Sequence, residues 1–198
     1  MARGKRYDRA YFDKWYRDRR IGSPADLGRT VTLAVAITEQ VLARPLRSIL
    51  DVGAGEGRWQ PVLHRLRPRA RYAGIDSSAW AIRQWGRRRN LRLGSIETLD
   101  QLGLDAPFDL IVAADILHYL PMAALRAGLT QIAALLGGVA FLPTFTAHDE
   151  IEGDRARFQH RSAATYHREF GRAGLIPLGM YAWTLRKRRP ELAALELG

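Results

Sequence analysis

The run Ile49-Leu50-Asp51-Val52-Gly53-Ala54-Gly55-Glu56-Gly57-Arg58 decides the fold. Residues 48–52 are a short apolar stretch that stops at Gly53, the pattern of a buried strand ending in a sharp turn. Glycines there let the backbone turn and approach a ligand with no Cβ in the way. The run is not a dinucleotide fingerprint, because Arg58 stands where that motif needs its last glycine. Nor is it a P-loop, because no Gly-Lys-Ser/Thr follows. What is left is Asp-x-Gly-x-Gly-x-Gly, with the Asp51 carboxylate at the turn.

Downstream of this loop, strands and helices alternate. Residues 58–67 read as a helix and 71–76 as a second strand. Ser77 is expected to cap the next helix, which carries Trp80, Ile82 and Trp85. Residues 91–93 make a weak third strand and 108–113 a fourth. Pro121 opens a helix to about Leu136, and 139–142 form a fifth strand. Residues 162–172 are helical and 175–183 strand-like; 191–197 read as a final strand or a helical turn. Such alternation implies an α/β fold, a mostly parallel, doubly wound sheet in three layers. Ligands then bind beyond the carboxyl ends of the strands, at the loops after Asp51, Asp76, Leu93 and Ala113.

Upstream, Tyr7, Tyr11 and Trp15 recur every four residues, so they share one face of a helix. Ser23-Pro24 reads as an N-cap and first helical position. The helix that follows turns Leu27, Val31, Val35 and Leu42 inward and ends before Pro45. We expect one compact domain: a helical segment over residues 1–45 that docks on, and partly lids, a core of residues 46–198.

Asp76 stands 19 residues beyond Gly57, at the end of the second strand. A carboxylate in that place accepts both ribose hydroxyls of an adenosine. Alone, Asp76 would read as a cap for the next helix. The glycine loop at the right spacing favours the ribose reading.

Composition narrows the classes further. With 198 residues the chain suits a single domain, and 47% hydrophobic with 26% charged residues is a globular balance. The absence of cysteine excludes disulfides, thiolate zinc sites and cysteine nucleophiles. The 31 basic and 20 acidic residues leave a net charge of +11. The basic clusters at 65–71, 83–92 and 186–189 permit nucleic acid. Solvated surface charge is the plainer reading. The five histidines show no metal-binding spacing, so no metal is expected. No segment is long and apolar enough to span a bilayer. The first residues lack the apolar core of a signal peptide, which makes cytoplasmic the expected location.

On these residues the chain resembles the class I S-adenosylmethionine-dependent methyltransferases. The first motif of that family matches Leu50 to Gly57 and its ribose-binding acid matches Asp76. Its fourth motif matches 108–120, ending Asp115-Ile116-Leu117-His118-Tyr119-Leu120. The resemblance covers about residues 46–145. It implies a seven-stranded sheet with an antiparallel last strand, its terminal pair drawn from 175–183 and 191–197. It also implies S-adenosyl-L-methionine as cofactor and S-adenosyl-L-homocysteine as product. The implied cofactor contacts are Asp51, Gly53, Ala54, Gly55, Gly57, Asp76, Ser77, Ser95, Ile96, Ala114 and Asp115. Ser95 stands where many members carry an Asp, and Leu136-Gly137-Gly138 is a shorter turn than their Lys-Pro-Gly-Gly.

Methyl transfer from a sulfonium is an in-line displacement that depends on alignment. A base is needed only if the nucleophile must lose a proton. His118 and His148 are the candidate bases; each has a plainer reading, as turn packing and as part of a solvated loop. Asp115 orients the methionine amino group or the acceptor, or caps its turn. The acidic segment 144–154 falls where the family often builds acceptor contacts. Tyr119, Phe145, Arg157, Arg161 and Tyr166 are candidates for acceptor binding, the arginines suiting a carboxylate. Tyr7, Tyr11 and Trp15 join them as a lid whose rings suit a sulfonium. The expected reaction moves a methyl group to an oxygen or nitrogen of a small-molecule acceptor, in a monomer or homodimer. The alternatives are an RNA or protein methyltransferase using the basic surface, and a non-catalytic S-adenosylmethionine-binding module.

Overall fold

In the computed structural model, which describes residues 7–18, 22–151 and 153–192, seven strands form one sheet. They are β1 (Ser48–Val52), β2 (Arg71–Asp76), β3 (Leu91–Leu93), β4 (Phe108–Val112), β5 (Leu136–Phe141), β6 (Leu175–Gly179) and β7 (Ala182–Leu185). Their order is β3-β2-β1-β4-β5-β7-β6. The pairs among β1 to β5 are parallel, and β7 runs antiparallel to both of its neighbours. This is the class I methyltransferase sheet order, doubly wound, with the inserted antiparallel strand that the resemblance implied.

Side chains alternate across the central strands, as a sheet covered on both faces demands. Ile49, Leu110, Val112, Val139 and Phe141 face one core, with Val31, Ala34 and Val35 of α2 (Pro24–Leu42) and Trp59 and Leu63 of α3 (Trp59–Leu66). Leu50, Ile111 and Ala140 face the other, with Leu125, Leu129 and Ile132 of α5 (Met122–Leu135) and Tyr166 and Phe170 of α6 (Ala163–Arg172). Glu169 ties α6 to α5: it is buried, bonds Arg126 and Arg172, and those bonds hold its pKa at about 2. A short α1 (Arg9–Phe12) continues as a π-helical turn, Asp13–Asp18, and α4 (Ala79–Arg89) follows β2.

Four local expectations need correction. The terminal antiparallel pair is β6 and β7, both cut from 175–185 by a turn at Met180 and Tyr181. Residues to Glu191 make a 3-10 helix, and 193–197 lie outside the described residues. The cap of α4 is Ser78, whose hydroxyl accepts from the Ala81 amide at 3.0 Å, while Ser77 is exposed. Leu136-Gly137-Gly138 is no turn, because α5 runs directly into β5. The glycine is needed there: a Cβ on Gly138 would meet the Asp109 carbonyl oxygen at 2.2 Å. Finally, Tyr7 precedes α1, with Asp8 as its N-cap, so the N-terminal aromatic stripe does not lie on one continuous α-helix.

Candidate active site

The ends of β1, β2 and β4 meet at the carboxyl edge of the sheet. Gly53, Gly55 and Gly57 have φ of 73°, 56° and 71°, the left-handed backbone that glycine adopts at little cost. A Cβ on Gly53 would lie 2.5 Å from Cγ2 of Ile116, so only bare backbone lets the β4 turn rest on the β1 loop. Asp76 holds that loop from the other side. One of its oxygens accepts from the Gly55 amide at 2.7 Å and the other from the Ser78 amide at 2.7 Å. Each oxygen keeps a second lone pair. Burial raises the Asp76 pKa against these two bonds.

Asp51 lies behind the loop. It is buried, accepts from the Tyr72 hydroxyl at 2.7 Å, and burial pushes its pKa up to about 7. Ala54 is half-buried beside it, its amide donating to the Ile75 carbonyl. Ser95 caps the 3-10 helix Ile96–Leu102 through a reciprocal arrangement with Thr98, and the Ile96 side chain packs into the core against Gly128.

The β4 turn carries Ala114, half-buried, and Asp115 at φ 58°. Asp115 is solvent-accessible, yet the protein around it pushes its pKa up to about 6. Desolvation by the surrounding protein is the cause, although water still reaches the side chain. His118 is buried instead. Its Nδ1 accepts from the Phe145 amide at 3.4 Å, and its ring packs against Tyr119, Phe145 and Phe158. His148 is exposed on the loop after β5. The two candidate bases therefore occupy different surroundings.

That loop is clasped onto the β4 turn. The Tyr119 hydroxyl donates to the Asp154 carbonyl at 2.6 Å, the Gln159 amide to the His118 carbonyl at 2.8 Å, and Arg161 to the Leu120 carbonyl at 2.5 Å. Phe145 is half-buried beneath it and Arg157 is exposed. Tyr166 is buried on α6, its ring 5.8 Å from the Arg161 guanidinium.

The N-terminal segment lies over the glycine loop. The Ser78 hydroxyl donates to the Tyr7 carbonyl at 2.5 Å. Tyr7 and Tyr11 meet edge to face at 5.0 Å, and Trp15 lies 6.5 Å from Tyr11. The anchors, however, are residues the sequence reading missed. Phe12 is buried between Trp80, 5.0 Å away, and Tyr16, 5.7 Å away. A Cβ on Gly55 would touch Phe12 at 3.4 Å and the Tyr16 hydroxyl at 3.6 Å. Arg17 pairs with Glu56 at 2.8 Å, and Arg58 stacks on Tyr16. Phe12 and Tyr16 repeat the four-residue spacing of the stripe that was read, one position along.

Several arginines of the basic clusters have structural work. Arg67 bonds Glu39, Arg71 pairs with Asp105, and Arg89 bonds the Glu56 carbonyl while stacking on Trp85.

Residues 50–139, the stretch from β1 into β5, match the family model described as a methyltransferase domain. Over this stretch the chain is similar to methyltransferase domains, and its sheet has the class I methyltransferase order. Solved structures agree with this methyltransferase fold. DesVI of Streptomyces venezuelae superposes with a TM-score of 0.66 at 16% identity, over 84% of this chain and 89% of its own. The plantazolicin methyltransferase BamL, solved with a triazolic desmethylPZN analog and SAH, gives 0.65 at 16% identity, over 82% of this chain and 68% of its own. CalS10, an amino pentose methyltransferase from Micromonospora echinaspora, gives 0.57 at 22% identity, over 71% of this chain. The chain spans 60% of the length of CalS10. No curated protein matches the sequence. Among the described residues, no helix is long and apolar enough to cross a membrane.

Proposed function

We propose that this methyltransferase acts on a small molecule, moving a methyl group to an oxygen or nitrogen by in-line displacement. The observation that carries the reading is the enclosure of the β4 turn. The loop over residues 145–162 is bonded to Tyr119, His118 and Leu120, and the N-terminal segment lies across the neighbouring glycine loop. A turn covered in this way suits a small acceptor better than a long polymer. CalS10 and the sugar N-methyltransferase KedS8 share the fold, and their small-molecule chemistry agrees with the reading.

The residues present fit the cofactor. Three left-handed glycines bring bare backbone to the crevice, and the carboxylate of Asp76 keeps a free lone pair on each oxygen for ribose hydroxyls. S-adenosylmethionine, when bound, supplies a methyl group already activated on a sulfonium. The chain's task is alignment, which by itself accounts for several kcal/mol of barrier in favourable cases, up to about 7–11. Asp76 and Gly53 to Gly57 fix the nucleoside end, Asp115 faces the reacting end, and Tyr119 with Phe145 bounds the acceptor. His118 holds the turn to the loop after β5, and His148 stands on the solvent side of that loop. The segment at 7–18 acts as a lid on the core.

Calorimetry with S-adenosylhomocysteine tests the cofactor site, and micromolar binding is expected. Incubation with methyl-labelled S-adenosylmethionine and a metabolite extract tests the acceptor class. Label in small molecules supports the reading; label confined to added RNA or protein rejects it.

A further inference from the structure

A cavity of about 260 Å³ opens at the carboxyl end of β5, between α6 and the β6–β7 turn. The glycine loop, Asp76 and Asp115 do not line it. Its inner wall is aromatic. Tyr166 and Phe170 of α6 and Trp183 of β7 line it, all buried, with ring centroids 6.0 Å apart for Tyr166 and Phe170 and 4.7 Å apart for Phe170 and Trp183. Its outer wall is the β6–β7 turn, which carries Met180 and Tyr181. These two are 65% and 59% exposed, and among the described residues Leu93 is the only other large apolar side chain left so open. Both have positive φ, 49° and 64°, a backbone that bulky residues adopt at a cost. An apolar ligand that covers them takes their surface out of water.

Charge decides what fits. The chain is 26% charged, yet none of the described residues lining the cavity is Asp, Glu, Lys or Arg. A charged group entering there loses water and meets no counter-ion, whereas an uncharged ring loses little and gains contact. One side of the cavity adjoins the β4 turn. The Asp115 amide donates to the Pro143 carbonyl at 3.0 Å, and Leu142 and Thr144, on either side of Pro143, both line the cavity. The Leu142 amide donates to the Tyr181 carbonyl at 2.9 Å, so the β4 turn and the outer wall are joined through one short piece of backbone.

We propose that this cavity receives an uncharged apolar ring of the methyl acceptor, whose polar end extends past Thr144 toward Asp115. This inference rests on the small-molecule reading above and narrows it to amphipathic acceptors that carry such a ring. A cavity of about 150 Å³ suffices for benzene, so this one has room for a substituted or fused ring. A sugar fits poorly, because the aromatic wall leaves its hydroxyls without partners.

Three probes test this on the full chain, each with and without saturating S-adenosylhomocysteine: 2-naphthalenemethanol, 2-naphthoate and xylose. In calorimetry the naphthyl alcohol is expected to bind at least about tenfold more tightly than either of the others. Ala163→Trp fills the mouth from the exposed start of α6, and Met180→Asp puts a charge on the outer wall. Each is expected to weaken the naphthyl alcohol at least about fivefold. Leu93→Asp makes a like change at the opposite edge of the sheet and should leave that affinity unaltered. Equal binding of the three probes, or an alcohol affinity untouched in both cavity variants, overturns the proposal and leaves the methyltransferase reading standing. So does a dimer in sedimentation that Met180→Asp breaks, since the cavity is then a contact between two copies of the chain. Failure of S-adenosylhomocysteine to bind, with the naphthyl alcohol bound as expected, overturns the methyltransferase reading instead.

Discussion

The Gly55 amide donates to Asp76 at 2.7 Å, so the acid at the end of β2 holds the loop at the end of β1. One side chain thus shapes the loop and keeps lone pairs that the proposed nucleoside would use. Asp76→Ala removes both functions. It is expected to weaken S-adenosylhomocysteine by about 1–3 kcal/mol, roughly five- to 150-fold, in calorimetry. Asp76→Asn keeps one acceptor oxygen and should fall between. Unchanged binding in the alanine variant would show that the ligand does not use this acid.

Gly53 should not tolerate a side chain. Its φ of 73° strains any L residue, and a Cβ would press on Ile116. Gly53→Ala is expected to lose about 1–3 kcal/mol in urea unfolding. Adding Ile116→Ala removes the collision but not the backbone strain, so the double variant should recover only part of the loss. Additive losses would mean that the two residues do not collide.

Phe12 and Arg17 both fasten the N-terminal segment, but unequally. The Arg17–Glu56 pair joins a half-exposed guanidinium to a mostly buried carboxylate, worth about 1 kcal/mol or less. Phe12 is 2% exposed between two rings, and truncating such a residue costs about 3–5 kcal/mol. Phe12→Ala should therefore speed proteolysis ahead of α2 far more than Arg17→Ala, with the sheet still folded by circular dichroism. Similar cleavage in the two variants would contradict this ranking.

Asp51 gives stability a pH dependence of definite sign. Burial raises its folded pKa to about 7, while an unfolded aspartate titrates near pH 4. Between those values the folded chain holds the proton more tightly. Stability from this site is fullest below pH about 4, declines as pH rises to about 7, and is flat above. The groups facing it are Tyr72, which donates its hydroxyl, and Asp76, whose charge raises the pKa further. Asp51→Asn should flatten that slope in urea midpoints taken from pH 4 to 8. Parallel curves for the two proteins would refute the assignment.

The sheet was legible because its signals are local. An apolar run that ends in glycine, repeated with helical stretches between, specifies a covered parallel sheet whatever the loops do. Gly53 to Gly57 and Asp76 could be read because turn and spacing both constrain them. The misreadings came where tertiary contact decides. Gly137 and Gly138 look like a turn, yet the close approach of the Asp109 carbonyl is what excludes a Cβ at Gly138. Ser77 and Ser78 are equivalent as sequence, and only the second reaches the Ala81 amide. Phe12 is one aromatic among several until Trp80 is packed against it. Asp154 lay within an acidic stretch that reads as solvated loop, and its place opposite Tyr119 depends on a fold-back over the β4 turn.

The rings at 12 and 16 roof the bend after β1, so traffic through that doorway has a timetable of its own. A nucleoside held beneath them would leave by the flank or wait for the roof to lift, and what resists the lifting is Phe12 packed on Trp80, far more than the weak Arg17–Glu56 pair.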